Sequence, residues 1–175
     1  GSSTDIPSPT IEVFPEEKEI IVTAQGIGSA GAGPFRRFVR RWTWDPGTGS
    51  FLPSADEFLP SPFRVHVLHD ADQEVKNRNF SQALELYSQV IEDVSLQDWA
   101  DPATEAVILG AYASFRLIHT HLLIVDPESA QTAYTNLIAN YPSGSLGNDF
   151  AQMGEAFWTQ YQASNDIVSA CITAQ

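Results

Sequence analysis

The sequence predicts a mainly α chain, with about six helices arranged as three antiparallel pairs behind an N-terminal β meander of two or three antiparallel strands. Three observations predict it. The hydrophobic period is two residues as far as about Pro60 and becomes helical from Phe63 onward. Glycine- and proline-based turns punctuate the first part, whereas Asp-Pro helix starts punctuate the second. The composition, 43% hydrophobic and 11% aromatic over 175 residues, is that of a globular chain able to build one good core or a main domain with an appendage.

Residues 1–10, "GSSTDIPSPT", are small, polar and proline-bearing, as in a flexible leader. A β extension is expected over 11–61. "EIIVTAQ" (19–25) is a β-branched strand, and "GIGSAGAGP" (26–34) suits a wide turn. "FRRFVRRWTWD" (35–45) alternates, so that Phe38, Arg40, Trp42 and Trp44 share a face. "DPGTG" (45–49) is a tight-turn signal, and "SFLPSADEFLP" (50–60) reads as a third, proline-interrupted edge strand. An isolated hairpin is marginal in water, so the meander needs the helical part or a partner to pack on.

The helical domain is expected over 62–175. The first helix, within 62–77, gathers Val67, Leu68, Ala71 and Val75 on one side. In "KNRNFSQALELYSQVIED" (76–93), Asn79 is an N-cap with Gln82 in capping-box position, and Ala83, Leu84, Tyr87, Val90 and Ile91 form a stripe. Asp101-Pro102 and Asp126-Pro127 open the next two helices, and segments 147–164 and 165–175 form the last pair. No run approaches the ~18 consecutive apolar residues of a membrane span.

The formal net charge is −13, unevenly spread: residues 1–64 carry a net −2 and residues 65–175 a net −11. Such a field disfavours nucleic acid and anionic membrane as partners. A single cysteine, Cys171, rules out an intrachain disulfide.

Little of the chain has the pattern of a catalytic centre, and the sequence points to no catalytic residue, cofactor or metal. His66, His69 and Asp70 lie within one predicted turn, but a metal needs a further ligand, so they read as surface or groove-lining polar residues. His119 and His121 point in different directions on a helix and read as hydrogen-bonded interior histidines. Cys171, at a small-residue position, reads as an inert buried thiol. "GIGSAGAG" lacks the lysine and the following helix of a phosphate loop. The sharpest local chemistry is Arg36, Arg37, Arg40 and Arg41 interleaved with Phe35, Phe38, Trp42 and Trp44. Guanidinium and ring faces can stack on a glycan or base, or the arginines can fasten the meander to the acidic helical half.

Against these residues several resemblances stand out. Phe80, Ala83, Tyr87 and Val90, with Ala71 on the preceding helix, resemble a tetratricopeptide unit. Ala130, Tyr134, Leu137 and Pro142 match a second unit, and Phe157, Tyr161, Ala170 and Ala174 a third. The key alanines at 83, 130 and 170 are 47 and 40 residues apart, against ~34 in the regular family, so residues 63–175 resemble a degenerate array. "NYPSGS" (140–145) resembles the unit boundary of tetratricopeptide proteins in bacterial envelope assembly, and the C-terminal region resembles Chloroflexi-type envelope proteins. The leader resembles the tether that follows the lipid-modified cysteine of bacterial lipoproteins, and residues 19–52 resemble one blade of an FG-GAP-type propeller.

The resemblance implies a non-enzymatic scaffold of the bacterial envelope, secreted or lipid-anchored, that binds a protein or peptide in a groove lined by the first helix of each pair. Val67, Asp70, Glu74, Ser114, His121, Gly154 and Tyr161 are the groove residues it implies. A glycan- or substrate-recognition domain of an envelope enzyme, using Arg36, Phe38, Arg40, Trp42 and Trp44, is the alternative. Self-assembly into a homo-oligomer through the β edge is another, and a cytoplasmic location remains the alternative to the envelope.

Overall fold

The computed structural model describes residues 9–25, 33–99 and 101–174. The chain divides into two compact units, Gly1–Ser61 and Pro62–Gln175. Most of the expected leader and of the glycine-rich turn lies outside the described residues.

The first unit is an antiparallel sheet of β1 (Thr10–Phe14), β2 (Glu19–Gln25), β3 (Arg37–Asp45), β4 (Ser50–Pro53) and β5 (Glu57–Phe58). Its order is β1-β2-β3-β4, with β5 also pairing with β3. The meander therefore extends beyond three strands. β1 adds an edge, and the proline-interrupted third strand divides in two after Pro53, both halves staying on β3. The β3–β4 turn forms where "DPGTG" places it: the Asp45 carboxylate accepts from Gly47 N at 3.0 Å and Thr48 Oγ1 at 2.9 Å.

Register sorts the side chains sharply. Phe38, Arg40, Trp42 and Trp44 fall on one face with Ile11, Val13, Ile20, Val22, Phe51 and Phe58. Arg40 is the one charged strand residue there, whereas Glu12, Glu19, Arg37, Arg41 and Glu57 lie on the other face. Yet no described strand residue is buried, and Ile11, Val13 and Phe58 are 63%, 61% and 53% exposed.

The second unit contains α1 (Arg64–Lys76), α2 (Phe80–Glu92), α3 (Pro102–Leu123), α4 (Pro127–Asn140), α5 (Asn148–Ser164) and α6 (Ile167–Thr173). These are the six helices the sequence predicts. Asp101 and Asp126 cap α3 and α4 as expected, accepting from Ala103 N at 3.3 Å and Ser129 N at 3.1 Å. Asn79 occupies the N-cap of α2 but forms no capping bond. The chain reverses there through Arg78 at φ 64°, and the Asn79 amide instead donates to Glu74 Oε2 at 2.6 Å, tying α2 back to α1.

Packing runs in series. α1 packs on α2 and α3, α2 on α3, α3 on α4 and α5, α4 on α5, and α5 on α6, with no comparable packing of α1 on α5 or α2 on α4. Helical hairpins stacked one after another have this order. Two hydrophobic clusters result, one around Val67, Ala71, Ala83, Tyr87 and Val90, the other around Ile118, Ala130, Leu137, Phe157 and Ala170. α3 feeds both, through Ala113 to the first and Phe115, Ile118 and Leu122 to the second. That explains its composition: over 22 residues it is long and apolar enough to cross a membrane, with half of its apolar window buried in the fold.

The connection after α2 is held by Arg64. Its Nε donates to Asp98 Oδ1 at 2.9 Å, Nη1 donates to the Val90 carbonyl, and both side chains of the ion pair are 8% exposed. Arg64 thus satisfies carbonyls at the end of α2 while fixing the loop that leads to α3.

Small residues set the helix spacing. Ala71, Ala83, Ala130 and Ala170 are fully buried, and a Cβ on Gly154 would lie 2.5 Å from Leu137 Cδ2. Leu137 is itself fully buried, so its side chain would have to repack within the core to admit the added Cβ. Gly154→Ala should therefore lower stability by about 1–2 kcal/mol despite alanine's better helix propensity. Urea unfolding followed by circular dichroism checks this; a stabilised variant would show that α5 can move off α4.

Candidate functional site

The densest polar cluster joins the first two hairpins. Ala71 turns inward to the α1–α2–α3 core, which leaves the next residue, Asp72, half-buried at its rim. Tyr112 and Arg116, four apart on α3, lie over that rim on one helical face, and Tyr87 reaches it from α2. Asp72 Oδ1 accepts from the Tyr87 hydroxyl and lies 3.2 Å from Arg116 Nε, while Oδ2 accepts from the Tyr112 hydroxyl at 2.9 Å. Arg116 Nε also donates to the Tyr87 hydroxyl at 3.1 Å, and the guanidinium lies 6.0 Å from the Tyr87 and Tyr112 ring centres. Phe150 of α5 meets the Tyr112 ring edge-on at 5.5 Å. The cluster thus draws on α1, α2, α3 and α5.

Its electrostatics keep both tyrosines protonated as donors. Burial, reinforced by Asp72, pushes the Tyr112 hydroxyl up to about 12 and the Tyr87 hydroxyl still higher. For Arg116, burial acts to lower the pKa, but Tyr87, Tyr112 and Asp72 outweigh it and hold the guanidinium charged. Among the described residues Nη1 and Nη2 have no hydrogen-bond partner, and neither is a buried orphan. The side chain is 25% exposed, so those donors are open to water.

The groove residues that the sequence implies do not assemble into one surface. Val67 and Ser114 are each 7% exposed: Val67 belongs to the first core, and Ser114 Oγ donates to the Gly110 carbonyl at 2.8 Å. Gly154 is buried against Leu137. Asp70 and Glu74 are half-buried on α1. His121 lies at the end of α3, its Nδ1 3.6 Å from Asp126 Oδ2, an ion-pair distance too long for a hydrogen bond. Burial lowers the His121 pKa, with Asp126 opposing. Tyr161 stacks on Phe157 within the second core. The core side that the sequence assigns to α1, Val67, Leu68, Ala71 and Val75, is the side the structure buries. Asp72, Tyr112 and Arg116 are residues that the sequence did not single out, and Ser114, expected in the groove, is buried. One signal was available. Arg116 is one of three Lys/Arg in residues 65–175, and the other two, Lys76 and Arg78, lie at the α1–α2 turn.

Two histidine readings also change. His66 is 7% exposed, with its ring edge-on to Phe63, rather than a surface residue. His119 is interior, yet its Nε2 has no hydrogen-bond partner, because the ring is wedged between Phe115 and Phe157 at 4.5 and 4.1 Å. Burial, then the charge of Arg116, pulls its pKa down to about 4. Burial likewise pushes the Cys171 thiol up. Among the described residues no group of three His, Cys, Asp or Glu could hold a metal ion.

On the sheet, Arg40 makes a bidentate pair with Asp56 at 2.6 and 2.9 Å and lies 5.5 Å from the Phe38 ring centre. Arg36 donates to the Leu59 carbonyl at 3.2 Å and lies 5.2 Å from the Phe58 ring centre. Trp44 packs edge-on with Phe51 at 5.3 Å, and Trp42 stands opposite Ile20 and Pro53. Arg40 and Arg41 thus have acidic partners, Asp56 and Glu19, within their own unit.

Compared with protein families, with curated proteins and with solved structures, the chain matches none.

His119 ionises near 6.5 when unfolded and near 4 when folded, so its contribution is complete above pH 6.5 and is lost as pH falls towards 4. The loss should be on the order of 3 kcal/mol. His119→Leu should flatten the fall in melting temperature between those pH values, and an unchanged slope would assign it to other groups. Asp72→Ala strips both tyrosines of their acceptor and Arg116 of its counter-charge; with the pair one-quarter exposed, it should cost about 1–2 kcal/mol in a denaturant titration.

Proposed function

We propose that the chain is a non-enzymatic binding scaffold of the bacterial cell envelope, secreted or lipid-anchored, whose helical unit holds a protein or peptide segment. The envelope location rests on the sequence resemblances. The binding role rests on one observation: a charged, half-buried cluster on Asp72, Tyr87, Tyr112 and Arg116 that leaves two guanidinium nitrogens without a protein partner. A polar network placed only for stability needs no open donors. Serially stacked hairpins supply the extended surface on which such scaffolds bind chain segments.

A second reading has its own observation. The aromatic face of the sheet, with Trp42, Trp44, Phe51 and Phe58, is not buried in the described structure, and rings flanked by arginines suit a sugar ring. The same open face, with the exposed edge strand β1, also suits pairing with a second copy.

The readings separate experimentally. A photo-crosslinker at position 150 in the intact chain should capture an envelope polypeptide, and Arg116→Lys should lower the yield by roughly fivefold with Trp44→Ala neutral. Glycan-array binding lost in Trp44→Ala and kept in Arg116→Lys would replace the scaffold with the sugar-recognition reading. A concentration-dependent dimer in light scattering that Ile11→Lys abolishes would favour self-assembly.

A further inference from the structure

We propose that Arg116 anchors an extended, lysine-bearing peptide by its backbone: the two free Nη groups take a peptide carbonyl oxygen, and the surrounding acidity selects against carboxylate-rich partners. This rests on the scaffold reading and adds the chemistry of what is bound.

The anchoring side chain is already built. Its Nε edge is held by Tyr87 and Asp72 at 3.1 and 3.2 Å, and the guanidinium rests near two tyrosine rings. A guanidinium has five N–H donors, so four remain on the open Nη end. Because packing fixes the side chain beforehand, little rotamer entropy is lost when those donors are used.

An arginine in an open site would ordinarily invite an anion. Here Asp72 neutralises the guanidinium, and residues 65–175 carry fourteen Asp/Glu against three Lys/Arg. A carboxylate or phosphate at the Nη end would gain its bidentate bond but face Asp72 and the net −11 field. A carbonyl oxygen offers two lone pairs to the same fork with no net charge to repel. Lysines in the flanking peptide are drawn by the acidic field, and their apolar stems suit the aromatic wall of Tyr112 and Phe150.

The test uses the intact chain, labelled to report arginine Nε–H signals and titrated with three ten-residue probes alternating alanine with lysine, glutamine or glutamate. The lysine probe should bind about tenfold tighter than the glutamate probe at about 50 mM salt, weaken severalfold near 300 mM, and shift the Arg116 signal. Arg116→Lys, which keeps the charge and loses the fork, should weaken binding about five- to tenfold with the helical spectrum unchanged. Asp72→Asn, which removes the neutralising charge while keeping the shape, should move preference severalfold towards the glutamate probe. Tighter glutamate binding that still shifts Arg116 in the unaltered protein overturns the proposal while leaving the scaffold reading in place, whereas lysine-probe binding that leaves Arg116 unshifted overturns the proposal together with the observation on which the scaffold reading rests. No perturbation by any probe at millimolar concentration removes both.

Discussion

An amphipathic hairpin, helical or β, cannot bury its own apolar side. In the helical unit that constraint is met in series: each hairpin presents a stripe that the next covers, and α3 is covered on two sides because it lies between two cores. The spacing follows from side-chain volume. Where Ala71, Ala83, Ala130, Gly154 and Ala170 stand, the helices approach closely enough for Tyr87, Leu137 and Phe157 to be wholly enclosed. The apolarity of α3, which would pass for that of a membrane helix, is a direct result of its central place.

The same constraint governs the sheet. Alternation confines all but one of the strand charges to one face, shared with Phe14, Ile21, Val39 and Leu52, and puts Phe38, Trp42, Trp44, Phe51 and Phe58 on the other, yet no described strand residue is buried. Arg40 is tolerated on the apolar face because Asp56 takes it with two bonds and Phe38 lies beneath the pair. Such a face calls for a cover, and an aromatic, arginine-flanked surface suits a sugar or another sheet on physical grounds.

Polar groups inside the helical unit fall into two kinds. Arg64 is closed: its guanidinium is matched to Asp98 and to carbonyls at the end of α2, and it holds a loop. Arg116 is half-open, matched on one edge and free on the other. The two arginines of one acidic unit thus differ in how far the fold encloses them.

Much of the architecture was legible in the chain. The change of hydrophobic period near Phe63 separates strands from helices, Asp-Pro pairs mark where α3 and α4 begin, and "DPGTG" marks the β3–β4 turn, because each is a local preference of a few residues. The buried alanines were legible too, since small residues recur where helices cross. The division of the third strand at Pro53 and the extra edge β1 were not, because strand pairing depends on a partner that local sequence does not name. The polar cluster was the decisive loss. The core stripe of α1 was legible, but the tyrosines that meet Asp72 stand 15 and 40 residues away, and local pattern does not pair them. Sequence by itself determined the helices, the central strands, their order and the net acidity of the helical part. Only tertiary packing decided which side of α3 each core would take, and hence that Asp72, Tyr87, Tyr112 and Arg116, spread over 45 residues of chain, meet with two donors left over.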